Sequence, residues 1–548
     1  MKIIKLLVVI ILINSCNNDV EKVVFHRYSE LSDIKAQEKH ENKRMRFKLI
    51  QSKVLDLNPE FEPFHKELAQ FSEKRYKALQ PLILEQPIPS VQSAIKNGMF
   101  TYRDLVLFYL YRIRKFESDS MRSLQAIIAL NPDVIRDAEQ KDRLLKEQID
   151  IYSLQGMPIL LKDNINTSNM PTTAGALILQ KHETTTNAFV VDKLLASGAL
   201  ILGKVNLSEW AYFFCSGCPL GYSAIGGQTL NPYGRKIFET GGSSSGSGVS
   251  VAVNFAVAAV GTETAGSIIS PSSQNSIVGL KPTIGVLSRS GIIPISGTLD
   301  TPGPMTKNVI DNMIVFKAML GKDSLDKASL ETDFFKLNHR VETVVTMRHK
   351  RFGVLKPLLS DSIYNAAVEK IEKAGAEIIE IVPPEITLKG FVTLLNIDMK
   401  NALHLYFKQH GIEKMRSLNI QSILNFNNKD SILRAPYGQK MLEGIMRDTT
   451  NLRKFEKIKN RLKTQGKWFL NPLFSDKLDA ILSINNYHSG VAAVAQYPTL
   501  TVPMGYKESG EPIGLTFIGK PFTEEKILRI GYAFENLTKV RHSPEHYE

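Results

Sequence analysis

A chain of 548 residues that is 43% hydrophobic and 22% charged has the composition of a globular protein, which excludes a disordered or fibrous chain. Its net charge of +13 is moderate at this length, and no nucleic-acid motif accompanies it. Only three cysteines occur, and Cys215 and Cys218 have no further CxxC or HxxxH with which to build a zinc site, so no metal or other cofactor is expected.

Lys2 and Lys5 precede an unbroken apolar run from Leu6 to Ile13. Those eight residues are far short of the ~20 that span a bilayer and suit a secretory signal. The run ends at Ile13-Asn-Ser-Cys16, which resembles a bacterial lipobox. The resemblance implies that residues 1–15 are lost and that Cys16 becomes a lipidated N-terminus. The protein is then a membrane-anchored lipoprotein of the bacterial cell envelope, facing the periplasm or exterior. A normal signal with an incidental cysteine, or a short anchor, is the alternative. Loss of Lys2 and Lys5 lowers the net charge from +13 to +11. Basic residues cluster again in 35–53 and 453–467, either as solvated helix faces or as a contact with anionic lipid.

Residues 16–88 read as a tether followed by a helical region, helical over 61–84. Gln86-Pro-Ile-Pro89 ends it, and the main domain is expected over 89–548. Thr101 and Asp104 have capping-box spacing. Val106, Tyr109, Leu110 and Ile113 then share one helical face. A strand is predicted over 124–130, and Asn131-Pro132 opens a charged helix. Strands and helices alternate afterwards: strand 158–162, helix 188–196 stopped by Gly198, strand 199–203, helix 207–213, helix 247–255 and strand 256–261. The unit 352–355, 363–374, 377–382 repeats the pattern, and strands recur over 478–484, 497–504 and 513–519. Alternation of this kind predicts an α/β sheet layered by helices. Residues 390–470 interrupt it with a long, basic, helical pattern, read as an inserted helical subregion covering the site.

Three short segments carry chemistry. Glu239 to Gly248 holds five serines or threonines and four glycines, and so buries little apolar surface. Gly261-Thr-Glu-Thr-Ala-Gly-Ser-Ile268 is a second small, polar cluster. Met157-Pro-Ile-Leu-Leu-Lys-Asp-Asn164 is an apolar strand ending on Lys162. Singly, each has a plain structural meaning: a flexible turn, a helix N-cap at Ser267, a lysine in solvent. Together they suffice for acyl transfer. A serine is a weak nucleophile until a base takes its proton, and lysine is such a base only when burial holds it neutral. Asp163 would oppose that if it faced Lys162, but strand neighbours point to opposite faces.

The combination resembles the amidase signature family over residues 156–304. The matching segments are Gly156-Met-Pro-Ile-Leu-Leu-Lys-Asp-Asn-Ile165, Gly226-Gly-Gln-Thr-Leu-Asn-Pro232, Gly241-Gly-Ser-Ser-Ser-Gly-Ser247, Gly261 to Ile268, Gly279-Leu-Lys-Pro282 and Asp300-Thr-Pro-Gly-Pro304. The resemblance implies a single large α/β/α domain around a mixed sheet. It also implies amide hydrolysis by a Ser–cisSer–Lys triad: Ser267 as nucleophile, Ser243 bridging after a cis peptide at Gly242, and Lys162 as base. Amides of Thr264, Ala265, Gly266 and Ser267 would form the oxyanion hole, Ser244 would orient Lys162 by a hydrogen bond, and Gln228 would support the site. Glu263 stands where many members have aspartate, and Ala265 where glycine is frequent. The loop 215–222 is expected to line the acyl pocket, and its CxxC to form a short-loop disulfide or remain reduced. A peptide or small-molecule amide is the expected substrate. Three alternatives remain. Gly242-Ser-Ser-Ser-Gly246 satisfies G-x-S-x-G, the nucleophile elbow of α/β-hydrolases, which would use Ser244 with His404 or His488. An amidotransferase acting on charged tRNA sits badly with an export signal. A non-catalytic envelope binding protein has no need of Lys162, Ser243 and Ser267 together.

Overall fold

The computed structural model describes residues 23–143, 146–335 and 346–548, so the signal segment expected over 1–15 and the lipidation expected at Cys16 lie outside the described residues. In chain order the strands are β1 (Ile127–Leu130), β2 (Pro158–Lys162), β3 (Leu200–Val205), the short pair β4 (Tyr222–Ser223) and β5 (Gly227–Gln228), then β6 (Ala258–Glu263), β7 (Val278–Lys281), β8 (Thr301–Thr306), β9 (Arg351–Leu355), β10 (Glu377–Ile381), β11 (Ala480–Ile484), β12 (Thr499–Tyr506) and β13 (Pro512–Ile518). All but β4 and β5 join one mixed sheet in the order β1-β3-β2-β6-β8-β7-β12-β13-β11-β9-β10. Helices cover the sheet, which is the α/β layering that the alternating pattern predicts.

β2 is buried at every position, so its run of Pro, Ile, Leu, Leu and Lys shows none of the alternation of a half-exposed strand. It pairs in parallel with both β3 and β6. The C-terminal ends of β2 and β6 therefore emerge at the same edge, which brings Lys162 beside Thr262 and Glu263.

Besides the short pair β4 and β5, two strands of the large sheet, β7 and β8, escape the sequence reading. β8 contains Pro302 and Pro304, residues that ordinarily argue against a central strand, yet it runs antiparallel between β6 and β7. Gly303 makes the close approach feasible, since a Cβ there would sit 2.1 Å from the Leu280 carbonyl oxygen. β7 is short and Gly-containing, with too little pattern to announce itself. The expected helix over 207–213 is a 3-10 turn, Glu209–Tyr212, with Trp210 and Ala211 left-handed at φ 51° and 53°. Tertiary bonds set it: the Trp210 amide donates to Ala174 O at 2.9 Å.

The helix Tyr102–Glu117 opens on the Thr101–Asp104 capping box and buries far more than one face, including the side chain of Arg112. The expected helix over 61–84 is broken into Asn58–Phe61, His65–Gln70 and Glu73–Ile83, the last capped by Ser72. Phe47, Ile50, Phe64 and Tyr76 share the main core, and the Gln228 amide donates to Ile50 O at 2.7 Å. The described N-terminal segment is thus packed into the main domain. The subregion expected over 390–470 is helical, from Phe391–His410 through Leu452–Phe469. It shares a second core with Trp210, Phe213, Phe214, Ile293, Ile295 and Leu299, which belong to loops around the site.

Candidate active site

Lys162 ends β2 with its side chain fully buried. Its Nζ lies 2.8 Å from Ser243 Oγ, 2.8 Å from Thr262 Oγ1 and 3.1 Å from Thr262 O. No carboxylate is within ion-pair distance of it among the described residues. Asp163 faces the other way, accepting from Thr173 and from Lys204 at 3.3 Å. Burial therefore wins: it drives the Lys162 ammonium down to about 7, against weaker opposing pulls from Asp300 and Glu263. The three partners suit either protonation state. A charged amine donates to all three. A neutral amine keeps two N–H bonds and turns its lone pair to the Ser243 hydroxyl.

The Gly242–Ser243 peptide is cis, as the resemblance implies. Ser243 is fully buried and Ser267 is only partly so. The Ser244 amide donates to Ser267 O at 3.1 Å, which sets the two segments side by side. The Ser267 hydroxyl makes no hydrogen bond among the described residues, and the bond from Ser243 Oγ to it is not formed here. Ser244 differs from expectation. Its hydroxyl donates to Thr262 O at 3.1 Å and accepts from the Thr262 amide at 3.2 Å, so it reaches Lys162 only through Thr262. Gln228 is likewise a loop brace, donating to Leu220 O and Thr229 O.

Glu263 is the residue whose importance the sequence reading missed. Its carboxylate accepts from the amides of Gly266 at 2.6 Å, Ile268 at 2.7 Å and Ile269 at 3.0 Å. It thereby fixes the turn that carries Ser267. The Gly266 amide is consumed in this way, so Gly266 does not serve the oxyanion hole. The amides of Ala265 and Ser267 make no hydrogen bond among the described residues. Thr264 sends its hydroxyl to Asp300 Oδ1 at 2.6 Å. A sequence signal for Glu263 did exist: an acidic residue three positions before a glycine-serine turn can cap its amides, as at a helix N-terminus.

Glu263→Gln tests this. A neutral amide cannot serve three donors as a carboxylate does, so kcat should fall by about 10- to 100-fold, in line with a lost charged hydrogen-bond hub of about 1.5–3 kcal/mol. Removing the negative charge also removes one of the pulls that raise Lys162. The acid limb of the pH–rate profile should therefore move to lower pH, which a loss of packing alone would not produce.

A cavity of about 190 Å³ opens next to Thr262, Thr264 and Asp300. Ile292, Ile293 and Ile295 form one wall, and Ala402, Leu405, Tyr406 and His410 of the helical subregion form the roof. Burial raises the Asp300 carboxyl to about 6. The loop 215–222 does not line this cavity. Cys215 and Cys218 are disulfide-bonded, and the loop instead backs the cis peptide: the Gly221 amide donates to Ser208 Oγ at 2.8 Å, and the Ser208 amide to Ser243 O at 3.0 Å. Neither histidine of the elbow alternative reaches Ser244. His404 is exposed, and His488 Nδ1 is bonded to Ser483 Oγ at 2.7 Å.

Comparison with known proteins gives the family and the fold. Residues 104–484 match the family Amidase. A probable amidase of Arabidopsis thaliana is 34% identical over 477 residues, covering 84% of this chain and 92% of its own. The crystal structure of an amidase family protein from Bacillus anthracis superposes with a TM-score of 0.84 at 33% identity, covering 90% of this chain and all of that one. Native peptide amidase from Stenotrophomonas maltophilia superposes with a TM-score of 0.77 at 34% identity, covering 84% of this chain and 99% of its own. The chain belongs to the Amidase family.

Proposed function

We propose that this chain hydrolyses carboxylic amides through an acyl-enzyme on Ser267, with Lys162 as the base and Ser243 as the relay. The observation that carries the proposal is the buried, unpaired Lys162 amine held 2.8 Å from Ser243 Oγ. Lys162 takes the proton of Ser243 as Ser243 takes that of Ser267, and the Ser267 oxygen adds to the amide carbonyl. The developing oxyanion has the free amides of Ala265 and Ser267 within the same turn. One such donor is typically worth ~10²–10³ in rate. The proton then returns through Ser243 to the leaving nitrogen, the C–N bond breaks, and ammonia or an amine departs. Water adds to the ester by the same relay, releasing the acid and restoring the Ser267 hydroxyl. The Ser243–Ser267 link closes on substrate binding, since catalytic hydrogen bonds often tighten only in the complex.

The cavity beside Thr264, with its isoleucine wall and helical roof, supports a substrate with an apolar group next to the scissile amide. Similarity to a peptide amidase supports amidated peptides as the first class to assay. Attachment to a bacterial membrane through Cys16 belongs to the same proposal and is supported by the sequence alone. The direct test is a fluorophosphonate probe followed by peptide mapping. The label should sit on Ser267; a label on Ser244, or none, would overturn the assignment.

The base makes a second prediction. Lys162 must be neutral to work, and its folded value is about 7. Below that pH, kcat/KM should fall about tenfold per pH unit, and above it the rate should level off. A profile flat down to mildly acidic pH would contradict a lysine base.

A further inference from the structure

The helix Leu452–Phe469 carries seven lysines and arginines against one glutamate. Phe455, Ile458, Leu462, Gly466 and Phe469 form its buried side. With successive residues turned by about 100°, Arg453, Lys457, Arg461 and Trp468 form the opposite stripe, and Lys454 and Lys467 flank it. All six are exposed. Among the described residues none of these five cations makes an ion pair. The nearest paired cation along the chain, Arg447, is satisfied by its own Glu443. The pairs Arg453 and Lys457, Lys457 and Arg461, Lys459 and Lys463, and Lys463 and Lys467 stand four residues apart, a spacing at which like charges weaken a helix. Burial, with Lys467 and Lys459 beside it, holds the Lys463 ammonium below its usual range. The helix therefore maintains a cationic face at a cost to itself.

Trp468 adds a bulky apolar group to that face, and Phe474 follows on the next short helix, Pro472–Ser475. Trp468 is 56% exposed, Phe474 49% and Phe522 46%. Lys520 Nζ stands 5.3 Å from the Phe474 ring centroid, and Phe522 follows Lys520 by two residues. Double-stranded or sulfated polyanions would satisfy the cations and leave the rings in water. A bilayer interface takes both, with ammonium and guanidinium groups at lipid phosphates and rings at headgroup depth. Among the described residues no helix is long and apolar enough to cross a membrane.

We propose that the outer face of Leu452–Phe469, with Trp468, Phe474 and Phe522, is a peripheral docking surface for an anionic phospholipid bilayer. The proposal does not depend on the chemistry of Ser267 or on a lipid at Cys16.

Tryptophan fluorescence reads this surface directly, because the chain has two tryptophans and Trp210 is only 1% exposed. The full chain is mixed with vesicles of phosphatidylglycerol and phosphatidylcholine whose acyl chains are brominated. Trp468 emission should shift to the blue and be quenched, and salt should reverse both. Vesicles of phosphatidylcholine alone should quench at least about tenfold less. The triple variant Arg453→Gln/Lys457→Gln/Arg461→Gln should lower the partition coefficient read from Trp468 by about 100-fold, at roughly fivefold per cation, with turnover of a soluble amide unchanged. Trp468→Phe should remove the quenching. Vesicle binding with Trp468 unquenched would overturn the proposal and leave an N-terminal anchor as the only membrane contact. Equal quenching by both vesicle types, or a triple variant that binds as well as the parent, would also overturn it. An equal blue shift with heparin in place of vesicles would assign the face to a soluble polyanion instead.

Discussion

Ser267→Ala is expected to lower kcat for amide hydrolysis by about 10⁵-fold or more, as removal of a nucleophile does elsewhere, while the protein stays folded. Both halves follow from the site. The Ser267 hydroxyl makes no hydrogen bond among the described residues, so deleting it leaves no orphaned partner. The backbone of residue 267 keeps its bond from the Ser244 amide, and Glu263 keeps its three amides. Ser244→Ala should behave in the opposite way. It deletes a buried hydroxyl bonded on both sides to the Thr262 backbone, which should cost about 1–3 kcal/mol of stability with far less effect on chemistry. The pair separates the two serine assignments. Residual turnover in Ser267→Ala within tenfold of the parent would refute the nucleophile. A dead, fully stable Ser244→Ala would restore the elbow alternative.

How much of this was visible in the sequence depends on whether a contact is local. β2 was legible to the residue, because a short apolar run bounded by turn residues has few other interpretations. The capping box at Thr101 and Asp104 was legible because its two hydrogen bonds span three residues. β8 was not, since its prolines argue against a strand and only the approach of Gly303 to Leu280 explains it. The triad was legible as a set of motifs in order, whereas its wiring was not. Ser244 was expected on Lys162, yet the parallel pairing of β2 with β6 places Thr262 between them. The Gly266 amide was expected in the oxyanion hole, yet the longer glutamate at position 263 reaches back and takes it. The disulfide was open for the same reason: two cysteines three apart are compatible with either redox state, and only the packed loop beside Ser208 decides where they point.

Lys162→Met should end turnover, by about 10³-fold or more, and should also change how stability depends on pH. Methionine fills a similar volume without a charge to desolvate. In the parent, Lys162 falls from its ordinary value of 10.5 to about 7 on folding. Between those values the unfolded chain holds a proton at this position that the folded chain lacks. Stability therefore rises with pH in that window, by about 1.4 kcal/mol per pH unit from this group alone. Below about pH 7 both states carry the proton and the full cost of burying the charge applies. The Met variant lacks the group, and every other titration is common to the two proteins. Its stability relative to the parent should therefore be highest at or below pH 7 and should decline by about 3–4 kcal/mol on going to pH 9.5. Loss of the bonds to Ser243 and Thr262 shifts the whole difference by a constant and leaves its slope intact. Urea unfolding of both proteins at several pH values across this range measures the slope. Parallel curves would show that Lys162 stays charged in the folded protein, and a charged lysine takes no proton from Ser243.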